Sequence, residues 1–77
     1  MSVLKHFTNL TDLIKEYNYS DPICYGTNYF VAYDNVLHKW CYVSIIIHNN
    51  EYIIDPYNEP RCYKSKADIS KDPNILL

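Results

Sequence analysis

Apolar residues recur along this chain in two rhythms. Leu10, Leu13, Ile14 and Tyr17 fall at i, i+3, i+4 and i+7, the spacing of one stripe on an α-helix. Thr8 or Asn9 can cap its start, and Asp12 and Glu16 suit its early turns. Val3 and Phe7 keep the same spacing, which extends the predicted helix back toward Ser2. Asp21-Pro22 is a breaker, so the helix should stop by residues 18–20. Beyond it the β-formers take over. Residues 27–33 (TNYFVAY) predict a first strand, Asp34-Asn35 a turn, residues 36–48 a second strand, Asn49-Asn50 a two-residue turn, and residues 51–55 a third strand ended by Pro56. Residues 59–63 suit a short edge strand. Gly26 is placed to permit the turn into the first strand. After Lys64 the chain becomes polar, a candidate flexible tail over residues 64–77 that ends in the apolar Ile75, Leu76 and Leu77.

These turns fix a register. With Asn49-Asn50 as the loop, His48 faces Glu51 and Ser44 faces Asp55; with Asp34-Asn35 as the other, Tyr33 faces Val36 and Tyr29 faces Trp40. Side chains alternate along strands, so two sheet faces follow. One carries Phe30, Ala32, Leu37, Cys41, Val43, Ile45, Ile47, Tyr52 and Ile54, an aliphatic surface for the helix stripe. The other carries Tyr29, Val31, Tyr33, His38, Trp40, Tyr42, Ile46, Ile53 and Tyr57, which is aromatic. The expected fold is therefore α+β: one N-terminal helix packed on a three- or four-stranded antiparallel β-meander. One short helix covers one face, and the other must meet a partner, a second copy or the chain's own tail.

Composition narrows the classes. Seventy-seven residues, 48% of them hydrophobic and nine of them Tyr, make one small domain (1–77) near the lower limit for a single core. A net charge of −2 argues against a polybasic nucleic-acid binder and against a disordered acidic tail. Stacking of nucleic acid on Tyr29, Trp40 and Tyr42 would need a basic groove, and only Lys39 lies nearby. The opening MSVLKHF has no apolar stretch of the signal-peptide kind, and no apolar run is long enough to span a membrane, so the expectation is a reducing cytosol with Cys24, Cys41 and Cys62 as free thiols. Eight Asn, nine Ile and nine Tyr beside one Gly, two Ala and one Arg suggest an AT-rich coding genome, an association shared with phages and mobile elements.

Candidate chemistry is sparse. Three Cys and three His are not at metal-ligand spacing, so no metal or other cofactor is expected. Cys24, His38 and Asp55 occur in the chain order of a Cys-His-Asp hydrolase. The run from His38-Lys39-Trp40 to Ile54-Asp55-Pro56 resembles the second half of transglutaminase-like and papain-like domains, in which a histidine strand turns back to a strand ending in Asp-Pro. The resemblance spans residues 38–56 and implies Cys24 as nucleophile, His38 as base and Asp55 as its orienter. The Asn49-Asn50 register opposes it: His38 lies six positions along the strand from the residue facing Asp55, roughly 20 Å away. Trp40 stands nearer the place where that family puts its base. The leading expectation is instead a small cytosolic protein-binding module, in its concrete form a phage- or mobile-element-type inhibitor of a host enzyme or defence complex. Tyr29, Tyr33, Trp40, Tyr42, Ile53 and Tyr57 would contact another protein, with acidic residues such as Asp34, Glu51 and Asp55 meeting basic sites on it. A self-associating structural subunit is the third class. Neither nucleic acid nor membrane is expected as a partner.

Overall fold

A computed structural model describes residues 5–25 and 28–73. The elements run α1 (Leu10–Glu16), β1 (Tyr19–Tyr25), β2 (Tyr29–Asp34), β3 (Lys39–His48), β4 (Glu51–Ile54), β5 (Arg61–Tyr63) and α2 (Lys66–Ser70). The strands form one antiparallel sheet in the order β1-β2-β3-β4, and β5 pairs with β3 on the same edge as β4. The architecture is the expected α+β, with one more strand and one more helix than the sequence pattern indicates.

Asn9 caps α1, its side chain accepting from Thr11 N at 2.8 Å. The helix does not extend back through Phe7. That residue exchanges two backbone hydrogen bonds with Tyr52 (3.0 and 2.6 Å) and so closes the outer edge of β4. Helical spacing at Phe7 arises because its ring packs on the same core as the helix stripe. The expected start at Ser2, the turn at Gly26 and the apolar Ile75–Leu77 end lie outside the described residues.

β1 is absent from the sequence reading because YSDPICY shows neither alternation nor freedom from proline. Pro22 is tolerated on this edge strand, where the register shifts between Ser20 and Cys24 and Asp21 takes a left-handed conformation (φ 48°). The Asn49-Asn50 turn forms as expected, both residues at positive φ (51° and 62°), with His48 opposite Glu51 and Asp55 N bonded to Ser44 O at 3.0 Å. The other turn differs. It is a four-residue loop, so Tyr33 faces Trp40 rather than Val36, and Tyr29 faces Ser44 rather than Trp40. An even shift preserves the two faces of the strands, but Leu37 and His38 leave them for the loop.

Each face carries a core. On the first, Leu13 and Ile14 of α1 pack against Phe30, Ala32, Cys41, Val43 and Ile45. Burying side chains such as Leu13 and Phe30 stabilises by roughly 1.5–3 kcal/mol each. On the second, Ile69 of α2 sits fully buried with Val31, edged by Tyr29, Trp40, Tyr42 and Tyr63. The stretch read as a tail thus forms a helix over 66–70, capped by the Ser65 hydroxyl, and covers part of the aromatic face. The thiol expectation is also corrected. Cys41 and Cys62, directly opposed on β3 and β5 with Cα atoms 4.2 Å apart, form a disulfide. Twenty-one residues of sequence separate them, and only the β3–β5 pairing brings them together.

Candidate functional site

The loop joining β2 to β3 is one helical turn closed on itself. His38 N donates to Asp34 O at 2.8 Å, and His38 then adopts the left-handed conformation (φ 57°) that returns the chain to β3. Asp34 itself is buried (8% exposed), and its Oδ1 accepts from Val36 N at 2.8 Å and Leu37 N at 3.0 Å. A carboxylate accepting two backbone N–H groups fixes the loop through charge-assisted bonds. The outcome is unusual for a turn: Val36 and Leu37 point outward, 67% and 55% exposed.

Aromatic rings stand at the base of this loop. Tyr33 and Trp40, paired across β2 and β3, meet edge to face at 5.4 Å, and the Tyr33 phenol lies 3.4 Å from His38 Nδ1. Lys66 of α2 places its ammonium 4.9 Å above the Trp40 ring. Farther along the same face Tyr29 and Tyr42 stack at 4.9 Å, both half-buried. Of the six contact residues expected from sequence, Tyr33 and Trp40 therefore adjoin the loop, and Tyr29 and Tyr42 form a second pair. Ile53 is buried at 8% exposure, which removes it as a contact. Tyr57 is 88% exposed on the connection between β4 and β5. Asp55 shapes that connection, accepting from Tyr57 N (2.8 Å) and Asn58 Nδ2 (2.7 Å). These bonds, Asn58 first, hold its carboxyl below the usual carboxylate range.

The hydrolase arrangement does not assemble. Asp55 directs its carboxylate at its own turn and sits opposite Ser44, whereas His38 lies in the β2–β3 loop beside Tyr33, beyond Lys39, which is itself five strand positions or roughly 16 Å from Ser44. Cys24 is on β1, opposite Val31. Among the described residues no three His, Cys, Asp or Glu side chains converge as a metal site, and no helix is long and apolar enough to cross a membrane.

Val36 and Leu37 are the site residues that sequence reasoning misses. It assigned both to the second strand, since branched apolar residues favour strands. The available signal was Asp34-Asn35 followed by His38, a start and an end for a four-residue loop.

Beneath the loop Tyr19 packs edge-on against Phe30 at 5.3 Å. Burial, with Asp34 close by, pushes its phenol up from 10.0 to about 12. The folded state then holds this proton more tightly than the unfolded chain. Stability is accordingly full below pH 10 and declines as pH rises from 10 toward 12. Allowing for solvent screening, the loss should be about 1–2 kcal/mol. Denaturant melts at the two ends of that window should show it, and Tyr19→Phe should remove that part of the alkaline loss.

No protein-family model, curated protein or solved structure matches this chain.

Proposed function

We propose that this chain is a small protein-binding module that acts by occupying a surface of another protein. The observation that carries this reading is the β2–β3 loop, which displays Val36 and Leu37 to solvent on a frame fixed by a buried carboxylate. Exposed to this degree, Val36 and Leu37 add little burial to this fold. In a rigid turn they offer a partner apolar area with little ordering cost on binding. Tyr33 and Trp40 at its base add the amphipathic rings that protein interfaces favour.

The residue bias makes an inhibitor of a host enzyme or defence complex, encoded by a phage or mobile element and acting in the host cytoplasm, the concrete form of this proposal. Disulfides persist mainly in oxidising compartments, so the Cys41–Cys62 bond bears directly on the cytoplasmic part. Alkylation of thiols at the moment of cell lysis decides it: a cytoplasmic chain carries reactive Cys41 and Cys62, a chain held in an oxidising compartment does not.

The docking reading is tested by the double substitution Val36→Ser and Leu37→Ser. Folding stability should change by less than about 0.5 kcal/mol per site, as for other exposed positions. Proteins that co-purify with the wild-type chain should be lost with the double variant and retained with Lys64→Ser. Retention of every partner by the double variant sinks the proposal. A wild-type dimer in light scattering that the double variant renders monomeric would transfer the loop to self-association instead.

A further inference from the structure

The cover on the aromatic face is held by few contacts. β5 is three residues long, and α2 is five. Together they span residues 61–70 and reach the rest of the fold through three cross-strand pairs, Trp40–Tyr63, Cys41–Cys62 and Tyr42–Arg61. Beyond these, Ile69 supplies the one fully buried side chain of the segment, and Lys66 rests on Trp40. Asp72, just past α2, accepts from the Tyr63 hydroxyl, and Arg61 lies 3.4 Å from it. Apart from the backbone leading in from β4, the covalent tie to the sheet is the Cys41–Cys62 disulfide. The two residues are unequally placed, Cys41 fully buried and Cys62 only partly so. The first core takes nothing from α2, although Cys41 belongs to it and Cys62 of β5 packs at its edge.

We infer that the Cys41–Cys62 disulfide is a reversible latch, and that its reduction releases β5 and α2 as a unit from the aromatic face while the α1 side of the sheet stays folded. The reductant is a dithiol. Its thiolate attacks the Sγ of Cys62, the less buried residue, forming a mixed disulfide and expelling Cys41 as a thiolate. The dithiol's second sulfur then attacks the sulfur bonded to Cys62, leaves as a cyclic or intramolecular disulfide, and frees the Cys62 thiolate. Two electrons pass to the protein and two protons complete the thiols. With the tie broken, a three-residue strand, one buried isoleucine and the partly buried Cys62 and Tyr63 are left to order the segment, too little to offset its conformational entropy. Val31, Tyr29, Trp40 and Tyr42 then face solvent. The latch does not rest on Val36, Leu37 or the Asp34 frame of the β2–β3 loop, but Trp40 at the loop's base is shared with the cover.

Hydrogen exchange of the full chain, oxidised and in dithiothreitol, tests this. Residues 61–70 should lose at least about tenfold in protection on reduction, while α1 and β2 change by less than about twofold. Trp40 fluorescence should become more quenchable by acrylamide in the same step, and reoxidation should reverse both changes. Cys62→Ser should show the released pattern without reductant. Ile69→Ser with the disulfide intact should lower protection in α2 alone, because Cys62 still ties β5 to β3; loss across β5 as well would overturn the latch. Unchanged protection of 61–70 in dithiothreitol overturns the latch, and so does loss of protection across the whole chain, since the bond would then be a staple of the entire fold.

Discussion

Phe30→Ala should leave the chain, with its disulfide reduced, largely unfolded at room temperature. Phe30 is fully buried at the centre of the first core, where α1 supplies Leu13 and Ile14 and β3 supplies Cys41, Val43 and Ile45. Truncating a buried Phe costs about 3–5 kcal/mol, the lost transfer energy plus the cavity left behind. A single core in a chain this short supplies only about 3–5 kcal/mol of net stability, so the two figures meet. The disulfide adds about 2–4 kcal/mol to the total by restraining the unfolded chain, so the comparison applies to the chain in dithiothreitol, where that contribution is absent. Circular dichroism with a urea titration gives the readout. The control is Ile47→Ala on the same face of β3, where exposure is 51% and the change should stay within about 0.5 kcal/mol. A folded Phe30→Ala chain with a sharp transition would mean that this core is not what holds the domain.

Asp34→Ala is the second large effect, expected at about 2–3 kcal/mol. The carboxylate is nearly buried and accepts from two backbone N–H groups, so its removal strands both donors at the base of the β2–β3 loop. Asp34→Asn retains an oxygen for those donors and should cost less than half as much. That ordering separates a hydrogen-bonding role from a charge role. The same pair of variants bears on function. If the loop docks a partner, Asp34→Ala weakens binding through loss of loop shape while Val36 and Leu37 are still present, and Asp34→Asn leaves binding close to wild type. Equal stability of the Ala and Asn variants would refute the framing role of this side chain.

Local sequence held a good deal of this fold. Leu10, Leu13 and Ile14 predict α1 because helical spacing puts them on one side, and Asn9 predicts its cap because an Asx oxygen reaches the orphan amides. Asn49-Asn50 predicts a hairpin because Asn tolerates positive φ, and the register of β3 on β4 follows from that turn alone. Alternation from Phe30 to Ile45 sorts aliphatic from aromatic residues onto opposite faces, and it survives an error in loop length because the error is even. The candidate site was legible only in part. Tyr33 and Trp40 stand out by type, but Val36 and Leu37 read as strand until the Asp34 side chain is seen to close a loop around them.

Each element whose signal lies within about ten residues is thus written in the local chain: the α1 stripe, the strand alternation, the Asn-Asn turn and the two-faced sheet. The other elements depend on long-range contacts. YSDPICY is a strand because a neighbouring edge accepts it, irregular and proline-bearing as it is. Residues 66–70 are a helix because Ile69 finds Val31 on a face left open by α1. Cys41 and Cys62 are a pair because β5 returns to the same edge of β3 as β4. In each case the stabilising contact joins residues distant along the chain, and such contacts leave no periodic trace in the segment they order.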